Sequence, residues 1–135
     1  MKAITDTGFL VAFGSRRDLH HAWALGIARQ LTEPLLTCDA VLAEAIFHLG
    51  DTGLVLDFVR EGLVTPAFHI SDHVTRLAEL AARYADRSPD LADLCLIRMS
   101  ELHPHHPVIT IDVADFRIYR RGRRETIPLI VPPGL

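Results

Sequence analysis

Apolar residues follow two alternating patterns along this chain. Short continuous apolar runs are typical of buried strands, and longer segments with apolar positions every three or four residues are typical of helices. The predicted strands span residues 1–5, 35–38, 63–68, 108–111 and 126–131. The predicted helices span residues 8–13, 18–31, 40–49, 52–61, 72–84 and 89–102, with a short helix after residue 112. This alternation predicts an α/β fold with a mainly parallel central sheet.

Composition narrows the class of protein. The 135 residues favour one domain over 1–135. Hydrophobic residues make up 49% of the chain, which argues against intrinsic disorder. The formal net charge is −3, so the protein as a whole is not basic. No apolar run reaches the ~18–20 residues of a membrane helix, and no leader is recognisable, so we expect a cytoplasmic protein with no membrane contact. Cys38 and Cys95 form no C-x-x-C motif and are expected to be free, buried thiols.

Acidic residues occupy positions at which chemistry is common. Asp6 and Asp112 each follow an apolar strand, and in open α/β sheets ligands bind beyond the carboxyl ends of the strands. Glu44 lies within an otherwise apolar helix. Asp90 and Asp93 share one face near the start of another helix. These acids are therefore candidates for one common site.

Each acid also has an ordinary structural explanation. A strand-terminal Asp often caps the next helix, Glu44 could pair with His48, and Asp90 could complement the helix dipole. Asp93 fits such explanations less well, because it lies among apolar residues and an unpaired buried carboxylate is costly. Convergence on a divalent cation would explain several acids together, and hard oxygen ligands suit Mg²⁺ or Mn²⁺. Periodicity alone does not show that these acids meet in space.

Four segments, in this order and spacing, resemble the PIN-domain nucleases and in particular the VapC-type toxins of type II toxin–antitoxin pairs. They are Thr5–Ala12, Thr37 with Glu44, Asp90–Leu94 and Thr110–Phe116. The resemblance implies a three-layer α/β/α sandwich. It also implies a metal-dependent endoribonuclease that hydrolyses RNA phosphodiester bonds by activating water on carboxylate-bound Mg²⁺ or Mn²⁺, leaving a 5′-phosphate and a 3′-hydroxyl.

The resemblance assigns roles to particular residues. The acidic quartet that holds metal and carries catalysis comprises Asp6, Glu44, Asp93 and Asp112. Asp115 is an auxiliary ligand, and Asp90, which lies where such toxins vary, is a weaker candidate. Thr7 and Thr110 would orient carboxylates. The chain departs from the pattern at Gly8, where Ser is frequent, and at 87–89, where a more apolar segment is usual.

The same resemblance implies partners. Such toxins are usually homodimers that a cognate antitoxin neutralises by crossing the acidic groove. The antitoxin carries the DNA-binding domain, so operator DNA is contacted only through it. The RNA substrate needs phosphate contacts, and the one dense basic cluster offers Arg117, Arg120 and Arg121 as candidates, with Tyr119 available to stack on a base. A solvated turn explains this cluster equally well.

Two other functions remain open. One is a PIN-like module that binds RNA or an antitoxin with little catalysis. The other is a metal-dependent phosphohydrolase of another type, although the chain lacks the D-x-D pair expected after its first strand, because residue 8 is Gly8.

Overall fold

The central sheet consists of five short strands in a computed structural model that describes all 135 residues. The chain has seven strands in all: β1 (Ile4–Thr5), β2 (Leu35–Thr37), β3 (Val64–Pro66), β4 (Val108–Ile109), β5 (Arg120–Arg121), β6 (Glu125–Thr126) and β7 (Leu129–Ile130). Strands β5 and β6 form a separate hairpin, and the other five form the central sheet. The sheet order is β3–β2–β1–β4–β7, and every neighbouring pair is parallel. Together with the helices described next, this confirms the predicted α/β fold with a parallel central sheet.

Seven α-helices connect the strands. They are α1 (Thr7–Gly14), α2 (His21–Ala28), α3 (Asp39–Leu49), α4 (Thr52–Arg60), α5 (Val74–Arg83), α6 (Leu91–Leu102) and α7 (Val113–Phe116). Their starts follow local capping chemistry: Asp6, Asp51, Asp90 and Asp112 each accept a backbone N–H of the first turn. No helix combines the length and the apolar character needed to cross a membrane.

The carboxyl-terminal region differs most from the sequence prediction. The strand expected over 126–131 is divided, because Thr126 pairs antiparallel with Arg120 in the β5–β6 hairpin while β7 joins the main sheet. Gly122 makes the hairpin turn with a φ of 57°. Residues 120–125 are strongly polar and carry no apolar alternation, so hydrophobic patterning does not reveal this hairpin.

The topology determines where a ligand can bind. Strand β1 is central in the sheet: β2 and β3 lie on one side of it, and β4 and β7 lie on the other side. A crevice therefore forms beyond the carboxyl ends of β1 and β4, at the point where the strand order reverses. Asp6 follows β1 and Thr110 follows β4, so both residues belong to this crevice.

Helix α6 lies in the interior of the molecule. Its residues Leu94–Ile97 and Met99 are buried, and it packs against α3, α5 and β1. Both cysteines are free and buried as predicted. Because α6 is mostly apolar and mostly covered, an acid in its first turn is held partly out of water.

Candidate active site

A cavity of about 450 Å³ opens where β1 and β4 end. Seven carboxylates line it, namely those of Asp6, Asp18, Glu44, Asp90, Asp93, Asp112 and Asp115. Arg87 and His48 are the basic side chains in its wall. The fold thus brings together all six acids that the sequence suggested, from segments more than 100 residues apart, and adds Asp18.

Asp6 is the most enclosed of these acids. Only 6% of its surface is exposed. Its Oδ1 accepts the Phe9 N–H at 3.3 Å, which caps α1, and its Oδ2 accepts the hydroxyl of Thr110. Burial raises the pKa of Asp6 to about 7, and these hydrogen bonds offset the effect only in part. Asp6 can therefore cap α1, as the sequence suggested, and also serve in the candidate active site.

Thr110 connects Asp6 to Asp112. While its hydroxyl donates to Asp6, its oxygen accepts the backbone N–H of Asp112 at 2.9 Å. Asp112 in turn caps α7 by accepting the Asp115 N–H at 3.3 Å. Partial burial raises the pKa of Asp112, and the Asp115 carboxylate contributes to the rise. The two strand-terminal acids are consequently fixed relative to each other by one side chain.

Asp93 is half-buried in the first turn of α6. The Tyr119 hydroxyl donates to its Oδ2 at 3.0 Å, while its own N–H is accepted by Asp90 Oδ1 at 2.9 Å. Burial, followed by the charge of Asp90, raises the pKa of Asp93 to about 7. Asp90 therefore both caps α6 and raises the electrostatic cost of ionising Asp93.

Glu44 reaches the cavity from α3. The Thr7 hydroxyl donates to its Oε2 at 3.2 Å. Burial and the nearby Asp90 charge raise the pKa of Glu44. The alternative ion pair between Glu44 and His48 does not form within 4.0 Å, although His48 also lines the cavity.

The negative charge of this site is largely uncompensated. None of the quartet Asp6, Glu44, Asp93 and Asp112 forms an ion pair, and the one ion pair in the cavity joins Arg87 to Asp115 at 2.9 Å. Protons or a cation must offset such a cluster. Carboxylate oxygens suit Mg²⁺ or Mn²⁺, so the donor set fits a divalent ion. As the side chains stand, no three acidic, histidine or cysteine groups are close enough to hold a metal, so binding one requires the carboxylates to draw together.

The basic cluster is arranged differently from the sequence expectation. Arg121 is only 5% exposed, and it donates to the Ser100 and Pro104 carbonyls and to Glu125. The guanidinium of Arg121, a sequence candidate for RNA binding, therefore holds the hairpin against α6. Arg120 is half-buried and uses Nη1 on nearby carbonyl oxygens. Arg117 is exposed.

Tyr119 also has a different role from the one expected. It is 1% exposed, so the prediction that it stacks on a base is wrong. Its ring packs edge-on against Tyr84 and Phe116, and its hydroxyl holds Asp93. Nothing in the local sequence indicates this contact, because 26 residues separate the two partners.

Sequence reasoning missed two further residues of the cavity wall. Asp18 lies in the α1–α2 connection, where its Oδ1 accepts the His20 N–H at 2.8 Å, so its local pattern indicates only a turn. Arg87 meets Asp115 across 28 residues of sequence. A long-range ion pair of this kind leaves no signal in the spacing of either residue.

Comparison with known families identifies the family of this chain. The family model described as PIN domain matches residues 3–117. The matched span contains every residue that lines the acidic cavity except Tyr119, and it ends before β5, β6 and β7. No curated protein matches the sequence.

Proposed function

The chain belongs to the PIN domain family, and from this premise we propose that it is a metal-dependent endoribonuclease acting as the toxin of a toxin–antitoxin pair. PIN domains are generally metal-dependent nucleases. We add three points to this general family property: the substrate is RNA, the ion is Mg²⁺ or Mn²⁺, and the protein acts as a toxin.

One observation carries this proposal. Four carboxylates without ion-pair partners meet at the crevice where the strand order reverses, in a cavity of about 450 Å³. Such a concentration of negative charge is unfavourable in an empty, purely structural cavity. It is favourable where a divalent cation must be held next to a phosphodiester.

The proposed ligands are Asp6, Asp93 and Asp112, with Glu44 placing a second ion or a water molecule. Thr110 fixes Asp6, and Thr7 fixes Glu44. Tyr119 occupies one oxygen of Asp93, so the other oxygen accepts no hydrogen bond from the protein. These contacts reduce the freedom of the carboxylates, which favours a defined ligand geometry.

Within this site, the protein residues bind and orient the reacting groups. A bound divalent ion supplies Lewis acidity, which activates water and offsets the charge of the phosphate. Arg87 is already paired with Asp115, so it offsets the charge of that acid beside Asp112. Asp115 then acts as an auxiliary acid and Asp90 as the cap of α6.

Exposed apolar residues beside the cavity support the proposal of a protein partner. Leu19 is 90% exposed and Phe47 is 81% exposed, and they adjoin Asp18 and His48 of the cavity wall. Large apolar side chains next to a functional cleft often mark a protein contact. We therefore extend the proposal to a cytoplasmic homodimer neutralised by an antitoxin that crosses the cleft and alone contacts operator DNA.

Metal dependence tests the enzymatic part. Purified protein is incubated with labelled RNA in EDTA, and then with an excess of Mg²⁺ or Mn²⁺. We expect no cleavage in EDTA and recovery of cleavage, with 5′-phosphate products, when either ion is added. Cleavage that persists in EDTA contradicts the proposal.

Growth tests the toxin part separately. The wild-type chain and Asp93→Asn are expressed from an inducible promoter without an antitoxin. We expect growth to stop with the wild type and to continue with the variant at equal protein levels. RNA cleavage in vitro without growth arrest would leave the nuclease in place and contradict the toxin role.

A further inference from the structure

A second cavity lies at the opposite end of α6 from Asp93. Its volume is about 510 Å³. Five arginines line it, namely Arg76, Arg83, Arg98, Arg121 and Arg123, and we call it the basic groove. Two glutamates, Glu101 and Glu125, also line it, so its formal charge is 5 − 2 = +3 in a chain whose net charge is −3.

Some of the charged side chains that line the basic groove stabilise the fold. Arg76 donates to Glu101, Glu79 and the Gly122 carbonyl, and Arg121 is buried with its own partners. Glu101 accepts from Arg76, from Arg98 and from the Gly122 N–H. This network fixes the β5–β6 hairpin against α5 and α6, so the groove has a rigid floor.

Two arginines in the wall of the basic groove, Arg83 and Arg123, remain available to bind a ligand. Arg83 is exposed and uses only Nη1, which donates to the Gly122 carbonyl at 3.0 Å. Arg123 is exposed and its side chain donates no hydrogen bond within the protein. Neither forms an ion pair. Two guanidinium groups with free N–H donors thus face solvent around one groove.

Two chain segments join residues of the basic groove to residues of the acidic cavity. The segment 83–87 runs from Arg83 in the groove to Arg87 in the cavity. The segment 115–123 runs from Asp115 in the cavity to Arg123 in the groove. Helix α6, which has 12 residues, spans ~18 Å between the two ends at ~1.5 Å per residue. A ligand that reaches both sites must therefore span about 18 Å, which takes several nucleotides of a single strand.

We propose that the basic groove binds backbone phosphates of the same single-stranded RNA whose scissile phosphate lies in the acidic cavity. This inference rests on the proposed nuclease function and specifies its substrate, an RNA with an unpaired extension on one side of the cut. Guanidinium groups bind phosphate through paired N–H donors. Of the residues that line the groove, Arg121, Gly122, Arg123 and Glu125 lie beyond the family-matched span 3–117.

A salt-dependence experiment in EDTA tests the groove without cleavage. Affinity for a labelled single-stranded RNA is measured for the wild type, for the double variant Arg83→Gln with Arg123→Gln, and for a control double variant, Arg29→Gln with Arg60→Gln. The control removes the same charge from exposed positions outside both cavities.

We expect the groove variant to bind RNA several-fold more weakly, with the control close to wild type. The slope of log affinity against log salt should become shallower by about 1.4, because each neutralised phosphate contributes about 0.7 for a single strand. Equal losses in both double variants, no loss in either, or no RNA binding by the wild type in EDTA would each overturn the proposal. Tight binding of polyglutamate with no effect of the variants on RNA would assign the groove to an acidic protein segment instead.

Cleavage by the same proteins separates this proposal from the proposed function. With Mg²⁺ or Mn²⁺ present, we expect the groove variant to raise KM with kcat nearly unchanged, and only for RNA long enough to reach the groove. If the wild type cleaves RNA but the groove variant behaves like the control, the groove proposal fails and the nuclease stands. If the variants alter RNA binding but no ion supports cleavage, the nuclease fails and the groove stands.

Discussion

The hydroxyl of Thr110 donates a hydrogen bond to Asp6, although 104 residues separate the two in sequence. The same oxygen accepts the N–H of Asp112. One small side chain at the end of β4 therefore holds two of the proposed metal ligands together. Replacing Thr110 therefore tests how the ligands of the cavity are organised.

Replacement Thr110→Val should impair the site. It leaves Asp6 without its strongest donor and the Asp112 N–H without its acceptor. We expect RNA cleavage or apparent Mg²⁺ affinity to fall by ~10–100-fold, as is usual when partners of metal ligands are removed. Thr110→Ser keeps the hydroxyl and serves as the control. Cleavage by Thr110→Val at the wild-type rate would show that Thr110 does not organise the ligands.

Gly8 is required by Ile111. A Cβ at position 8 would lie 2.5 Å from Ile111 Cγ1 and 3.6 Å from Asp6 Oδ1. We expect Gly8→Ala to lower the free energy of unfolding by ~1 kcal/mol, because the half-buried side chain of Ile111, which lines the acidic cavity, must shift. Adding Ile111→Ala should recover part of this loss in a double-mutant cycle.

Gly26 provides the control for that experiment. A Cβ there meets nothing within 4 Å, and Gly26 lies within α2. Gly26→Ala should therefore be neutral or stabilising by ~0.5–1 kcal/mol. Thermal or urea unfolding of the variants measures both effects, and additive losses from Gly8→Ala and Ile111→Ala would contradict the steric explanation.

Glu101 should make the protein sensitive to acid. Burial raises the pKa of Glu101, but the hydrogen bonds from Arg76, the Gly122 N–H and Arg98 outweigh burial, so the net shift is downward from 4.5. A carboxylate whose pKa is lower in the folded state contributes stability at neutral pH, and this contribution is lost as the pH falls through that lowered value. We expect Glu101→Gln to be less stable than wild type at pH 7 by about 1–3 kcal/mol. The difference should shrink below about pH 4, and a difference that does not change with pH would contradict the assignment.

The cysteines should be unreactive in the folded protein. Cys38 and Cys95 are 1% and 0% exposed. The neighbouring Cys38 thiol, together with burial, raises the pKa of the Cys95 thiol, which lowers its thiolate fraction. We expect a thiol-specific aromatic disulfide reagent to label neither residue in native protein and both in denaturant. Rapid labelling of native protein would show that α3 and α6 separate easily.

The acids of the cavity were predictable because each has a local signature. Asp6 and Asp112 end apolar runs, and Asp93 interrupts the apolar sequence of α6. The α/β alternation then places strand ends on one edge. The interactions that complete the cavity have no such signature, because Tyr119–Asp93 and Arg87–Asp115 join residues 26 and 28 positions apart.

The basic cluster shows more clearly what amino-acid composition does not predict about individual residues. In sequence, Arg121 and Arg123 are equivalent members of one arginine-rich segment. In the fold, the hairpin turn at Gly122 buries Arg121 against Ser100 and exposes Arg123. Arg121 lies in β5 and Arg123 lies in the turn that follows, and neither composition nor helical periodicity distinguishes these two positions.

The rate of RNA cleavage by Asp93→Asn tests the central claim most directly. Asn keeps the shape of the side chain and removes its charge, and Asp57→Asn, on the surface of α4, serves as the matched control. Under single-turnover conditions with Mg²⁺ or Mn²⁺, we expect cleavage to be abolished in Asp93→Asn and unchanged in Asp57→Asn, with both proteins folded. Wild-type cleavage by folded Asp93→Asn would contradict the assignment of the acidic cavity as the nuclease active site.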